Sequence, residues 1–154
     1  MKINSNEIIL VSACLTGINC RFDNDIKRNE KIVQLLSDGR VIPLCPEILA
    51  NFRTLRPAME IIGGDGNDVL EGRAKVIDKD GNDYTEKITE GAKKVLEVVK
   101  ILNVRKAILK SKSPSCGKDL IFDGTFSGNL VKGNGVLTAL LKKHGIKVYS
   151  EKEI

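Results

Sequence analysis

Apolar residues fall along this chain in two rhythms. Residues 8–13, 40–44, 106–110 and 146–149 hold short apolar runs rich in Ile and Val, the signature of strands buried on both faces. Between them the apolar positions recur three to four residues apart. Ile32, Leu35 and Leu36 do so within 26–37, and Ile88, Ala92, Val95, Leu96, Val99 and Leu102 in a segment that opens at Thr85. Each spacing predicts a helix with one buried face. Gly39 is placed to end the first of these helices, and Gly145 a last one over 136–144. Thr85-x-x-Ile88 lacks only the acid of a capping box. Pro46 suits the first turn of a brief helix after Cys45.

The remaining stretches read as connections. Residues 51–68, with Pro57 and a Gly63-Gly64-Asp65-Gly66 cluster, are mostly loop. Residues 74–78, followed by Asp80-Gly81 and Asp83-Tyr84, predict a small β-hairpin off the sheet. The Gly-rich span 118–135 is long for a passive connection and reads as a functional loop. Strands alternating with helices imply right-handed crossovers. The expected fold is therefore α/β, a single domain over 1–154 in three layers, with about four parallel strands ordered 2-1-3-4 and helices on both faces. In such sheets ligands bind beyond the carboxyl ends of the strands, where the order reverses.

Composition agrees with that picture. A chain of 154 residues, 42% hydrophobic, buries one ordinary core. Aromatics make up only 4% and Trp is absent, which suits an aliphatic sheet covered by helices. The net charge of +5 comes with no Lys/Arg run resembling a basic arm, so no stable nucleic-acid partner is expected. The apolar stretch near the N-terminus is too short to span a bilayer and lacks a signal-peptide cleavage pattern, which points to a cytoplasmic protein with no membrane partner.

Chemistry enters with the cysteines. Cys14, Cys45 and Cys116 each follow one of the first three predicted strands. In a reducing compartment such residues serve as thiolates for metal or catalysis, although buried, inert cysteines account for the spacing equally well. Without a C-x-x-C pair the pattern fits zinc ribbons and two-cluster ferredoxins poorly. A cubane iron–sulfur cluster held by three cysteines leaves one iron open, as a catalytic centre requires. For Cys20 the roles of fourth ligand, persulfide carrier and bystander all stay open. Residues 128–135 match no phosphate-loop motif, and His144 reads as a solvated residue at the negative end of a helix.

Four segments then carry a resemblance: Val11-Ser12-Ala13-Cys14-Leu15-Thr16-Gly17, Pro43-Leu44-Cys45-Pro46-Glu47, Ser113-Pro114-Ser115-Cys116-Gly117 and Asp123-Gly124-Thr125-Phe126-Ser127-Gly128. Together they resemble the thiouracil desulfurase (TudS-like) family over nearly the whole chain. The resemblance implies a [4Fe-4S] cluster on Cys14, Cys45 and Cys116. It also implies non-redox removal of sulfur from a thiolated pyrimidine base such as 2-thiouracil, the sulfur being accepted by the open iron. Where the family commonly has Gly-Gly and Pro-Arg pairs, this chain has Ala50-Asn51 and Leu55-Arg56, a difference that bears on pocket shape and substrate identity.

That chemistry needs a general base for the attacking water. Glu47, two residues after a ligand, is the candidate, although a carboxylate there also favours the N-terminus of a short helix. Ser113 is the candidate proton relay, because Pro114 stiffens the turn between it and Cys116. Ser115 and Asp123 are candidate substrate contacts, and turn formation explains both residues as well. The partners implied are a small thiolated base and a sulfur-acceptor protein. A sulfur carrier for a thiolation pathway and a zinc or redox-sensing module are the alternatives.

Overall fold

The computed structural model describes residues 1–154. In chain order its elements are β1 (Ile9–Ser12), a 3-10 turn (Ala13–Thr16), α1 (Glu30–Ser37), β2 (Val41–Leu44) and α2 (Pro46–Leu49). They continue with β3 (Met59–Ile62), α3 (Gly66–Leu70), β4 (Lys75–Asp78), α4 (Thr85–Ile101) and β5 (Lys106–Leu109). The last are β6 (Leu120–Phe122), β7 (Leu130–Lys132), α5 (Val136–Lys143) and β8 (Lys147–Ser150).

The expected sheet is the one observed: β2-β1-β5-β8, with every neighbouring pair parallel. Proline explains one end of that order. Pro43 sits within β2, paired with Val11, and a residue with no N–H to donate is tolerated at a sheet edge rather than in its middle. β1 is buried along its whole length, and its side chains alternate between faces. Ile9 and Val11 pack with Ile32 of α1 on one side, while Leu10 joins the larger core of α4 and α5 on the other. Full burial of such a side chain contributes about 1.5–3 kcal/mol.

Three stretches depart from the expected outline. The span 51–68 contains β3 and the start of α3. The partner of β4 is therefore the upstream β3, antiparallel from Met59↔Asp78 to Ile62↔Lys75, while Asp83 makes a single bridge to Ile77. Glu60 interrupts the apolar run of β3, yet it is buried because its carboxylate accepts hydrogen bonds from the amides of Gly124 and Phe126. The Gly-rich span 118–135 holds a second antiparallel hairpin, β6–β7. The first helix begins only at Glu30, where the Asn29 side chain accepts from the amides of Lys31 and Ile32 and so satisfies two otherwise orphaned donors.

One close approach fixes the loop that matters most. α2 lies against α4 at Gly91, where any β-carbon would strike the Pro46 carbonyl. A glycine there lets α2, and with it Cys45 and Glu47, settle against α4.

Candidate functional site

A cavity of about 320 Å³ opens at the carboxyl ends of β1, β2 and β5, on the side of the sheet where strand order reverses. All four cysteines line it, and all are free thiols. Cys14 sits in the 3-10 turn directly after β1. Cys45 is the N-cap of α2. Cys116 lies in a tight turn after β5, closed by the Gly117 amide donating to the Ser113 carbonyl. The expected trio is thus brought to one place. Cys20 joins it from an irregular stretch and is only 4% exposed.

The thiols differ in acidity. The interaction with Cys20 pulls Cys14 below its ordinary value, and the charges of Arg21 and Lys110 add to this against the cost of burial. Cys45 is lowered by the same neighbour, with help from the amides of Ile48 and Glu47, against burial and the Glu47 charge. Cys20, between the two, is pushed up. Burial raises Cys116 well above an ordinary thiol, with Ser12 opposing; a coordinating metal removes such a proton outright. No three His, Cys, Asp or Glu side chains converge tightly enough to chelate one ion. The thiols line the wall of one cavity, and soft sulfur donors of this kind suit iron–sulfur clusters.

Beside the thiols stands a polar relay. Glu47 is 9% exposed, and its two oxygens have different partners. Oε1 accepts from the Ser115 hydroxyl at 2.8 Å, and Oε2 is paired with the Arg56 guanidinium. Ser115 is 1% exposed, and its Oγ lies 3.2 Å from Ser113 Oγ. Ser113 Oγ in turn accepts from the amides of Ser115 and Cys116. Of the two serines, Ser115 therefore touches the carboxylate directly, and Ser113 stands one step behind it. Glycine again permits the approach: a β-carbon on Gly135 would collide with the Ser115 backbone. The loop is stitched to the start of α5 by Val136 N–H to Pro114, Leu137 N–H to Ser115 and Thr138 Oγ1 to Cys116, each onto a carbonyl.

Asp123 is elsewhere. The cavity wall includes Phe122 but not Asp123, whose carboxylate accepts from the amide and hydroxyl of Thr125 in the turn of the β6–β7 hairpin. Arg56, by contrast, lines the cavity, and sequence reasoning marked it only as half of a departure from the family pattern. Its importance rests on a contact with Glu47, nine residues away across an irregular loop, which no periodicity reports.

Comparison with known proteins identifies the family and the fold. A family model described as 2-thiouracil desulfurase matches residues 9–153. A Bacillus subtilis (strain 168) protein described as "Uncharacterized protein YbbK" is 48% identical over 147 residues, covering 96% of this chain and 97% of its own. The solved structure of the [4Fe-4S]-dependent thiouracil desulfidase TudS (DUF523Vcz) superposes with a TM-score of 0.86 at 36% identity, over 97% of this chain and 93% of that one.

Proposed function

The chain belongs to the 2-thiouracil desulfurase family, and from that footing we propose an iron–sulfur-dependent enzyme that hydrolyses the C–S bond of a thiolated pyrimidine such as 2-thiouracil. The observation that carries the reading is the meeting of Cys14, Cys45 and Cys116 in one cavity with the Glu47–Ser115 pair. The three cysteines would hold the [4Fe-4S] cluster, which when bound supplies an open Lewis-acid position for the thiocarbonyl sulfur.

The residues of the chain handle the protons. Both Glu47 oxygens already have donors, so the proton of an attacking water reaches the carboxylate through Ser115. The hydroxyl passes its own proton to Oε1 and takes one from the water. Ser113 holds Ser115 in register. The water oxygen becomes the new carbonyl oxygen as the C–S bond breaks. Glu47 takes the two protons of the water one at a time through Ser115 and gives each up to the departing sulfur before the next is taken, so that a uracil-type carbonyl and hydrogen sulfide form with no oxidant or reductant. Asp123 stays outside this scheme because its carboxylate serves its own turn.

A carrier that hands sulfide to an acceptor protein would use the same thiols, but it has no use for a buried carboxylate–hydroxyl pair. No helix is long and apolar enough to cross a membrane, and four unpaired thiols suit the reducing cytoplasm.

Anaerobic reconstitution with iron and sulfide, followed by 2-thiouracil, tests the reading. Uracil and sulfide in equal amounts, in proportion to bound iron, are expected. A cluster-bearing protein that forms no uracil would point to the carrier, and a protein that binds no iron would end both readings.

A further inference from the structure

We infer that Arg56 is the positioning residue for Glu47, a role that rests on the desulfurase reading. One guanidinium gathers four contacts. Nη2 pairs with the Glu47 carboxylate and donates to the Cys20 carbonyl at 3.1 Å, while Nη1 donates to the carbonyls of Arg53, 2.6 Å away, and Thr54, 3.1 Å away. The side chain is only 6% exposed, and its guanidinium carbon lies 5.9 Å from the centroid of the Phe52 ring. A planar fork fixed on several sides can hold a carboxylate in one orientation, which a flexible ammonium cannot.

The burial is costly for the fold. Arg56 Nε is buried with no hydrogen-bond partner, and an orphaned donor of this kind opposes folding. A charged group buried with one N–H unsatisfied, beside a cavity wall, is the local conflict expected where function outweighs stability. The geometry gives that function content. With Oε2 held by Arg56, only Oε1 is turned to Ser115, and the proton path has one entrance. Without the guanidinium the carboxylate is free to rotate away from Ser115. The same guanidinium binds the Cys20 backbone, so the loop carrying the fourth thiol and the proposed base share one anchor.

The test compares anaerobically reconstituted wild type with Arg56→Met and Arg56→Lys, using 2-thiouracil. Iron content, melting temperature, KM and kcat are read for each, with and without added guanidinium at concentrations too low to denature. We expect Arg56→Met to keep its iron and its KM and to lose about 100-fold in kcat, the scale of an ångström-level misplacement, with part of the loss restored by guanidinium. Arg56→Lys, which retains the charge, should fall between. Unchanged kcat in both variants overturns the inference. So does a loss that follows iron content and melting temperature and is not rescued in either variant, which would make Arg56 scaffold only. Absence of turnover in the wild type would instead strike the desulfurase reading itself, and Arg56 with it.

Discussion

The Ser115 hydroxyl donates to Oε1 of Glu47 across 2.8 Å, joining residues 68 positions apart in the chain. Glu47 arrives at the start of α2 and Ser115 in the turn after β5, so the bond bridges the loops that carry Cys45 and Cys116. The proposed acid–base pair and two of the three candidate cofactor ligands therefore depend on the same two backbone turns.

Replacing Glu47 with Gln preserves size and removes the proposed base. Iron and acid-labile sulfide should remain at wild-type levels while conversion of 2-thiouracil falls about 10²–10⁴-fold, the usual worth of a positioned general base. Uracil formation at wild-type rate in Glu47→Gln would remove Glu47 from the reaction.

The two serines separate by distance from the carboxylate. Ser115→Ala deletes the direct bond to Glu47 and should cut kcat more deeply than Ser113→Ala, which acts through the turn. Each should cost about 1–3 kcal/mol of stability, since Ser115→Ala removes two hydrogen bonds and Ser113→Ala three. Equal kcat values for the two variants would place the relay elsewhere.

Single Cys14→Ser, Cys45→Ser and Cys116→Ser variants should each fail to retain a stable cluster after reconstitution, while Cys20→Ser retains it. Iron and sulfide analysis of the four proteins gives the answer. Loss of iron in Cys20→Ser would mean four protein ligands and no open position.

A carboxylate paired with Lys110 of the cavity wall reports on pH. Burial pushes the Glu151 carboxyl up, but the Lys110 ammonium and the amide and hydroxyl of Ser111 outweigh it and hold its pKa below the ordinary value. Because the folded value is depressed, the stabilisation is complete above the unfolded pKa of about 4.3. It is lost as pH falls through the folded value. Glu151→Gln should therefore melt lower than wild type at pH 7, by about 1–2 kcal/mol, and the two melting curves should converge in acid. A constant gap down to pH 3 would rule this out.

Gly91→Ala trades helix propensity against a collision. Alanine gains about 1 kcal/mol over glycine in an exposed helix, but here its β-carbon meets the Pro46 carbonyl, an overpacking worth about 1–3 kcal/mol. Chemical denaturation should show net destabilisation, and iron retention should fall as α2, with Cys45 at its start, is pushed from α4.

The central sheet was legible because its strands are continuous apolar runs that no helix period explains; Ile9, Leu10 and Val11 show this most clearly. β3 was not, because Glu60 breaks its run and finds its hydrogen-bond donors only in the distant β6–β7 turn. β7 was hidden for another reason: Leu130, Val131 and Lys132 are all exposed, so no alternation marks them. At the site, the cysteines, Glu47 and the serines were readable from short motifs anchored at strand ends. Arg56 and the nearness of Cys20 to Cys14 and Cys45 depend on how irregular backbone folds between those anchors, and residue spacing carries no trace of that.

Cys14, Cys45 and Cys116 sit on three successive connections that only the completed sheet draws together. A nascent chain halted after β2 displays two of the sulfurs and no third. A product truncated before Cys116 likewise lacks one of the three candidate ligands. The candidate ligand set is thereby complete only once synthesis has passed the turn after β5, with 116 of the 154 residues already made.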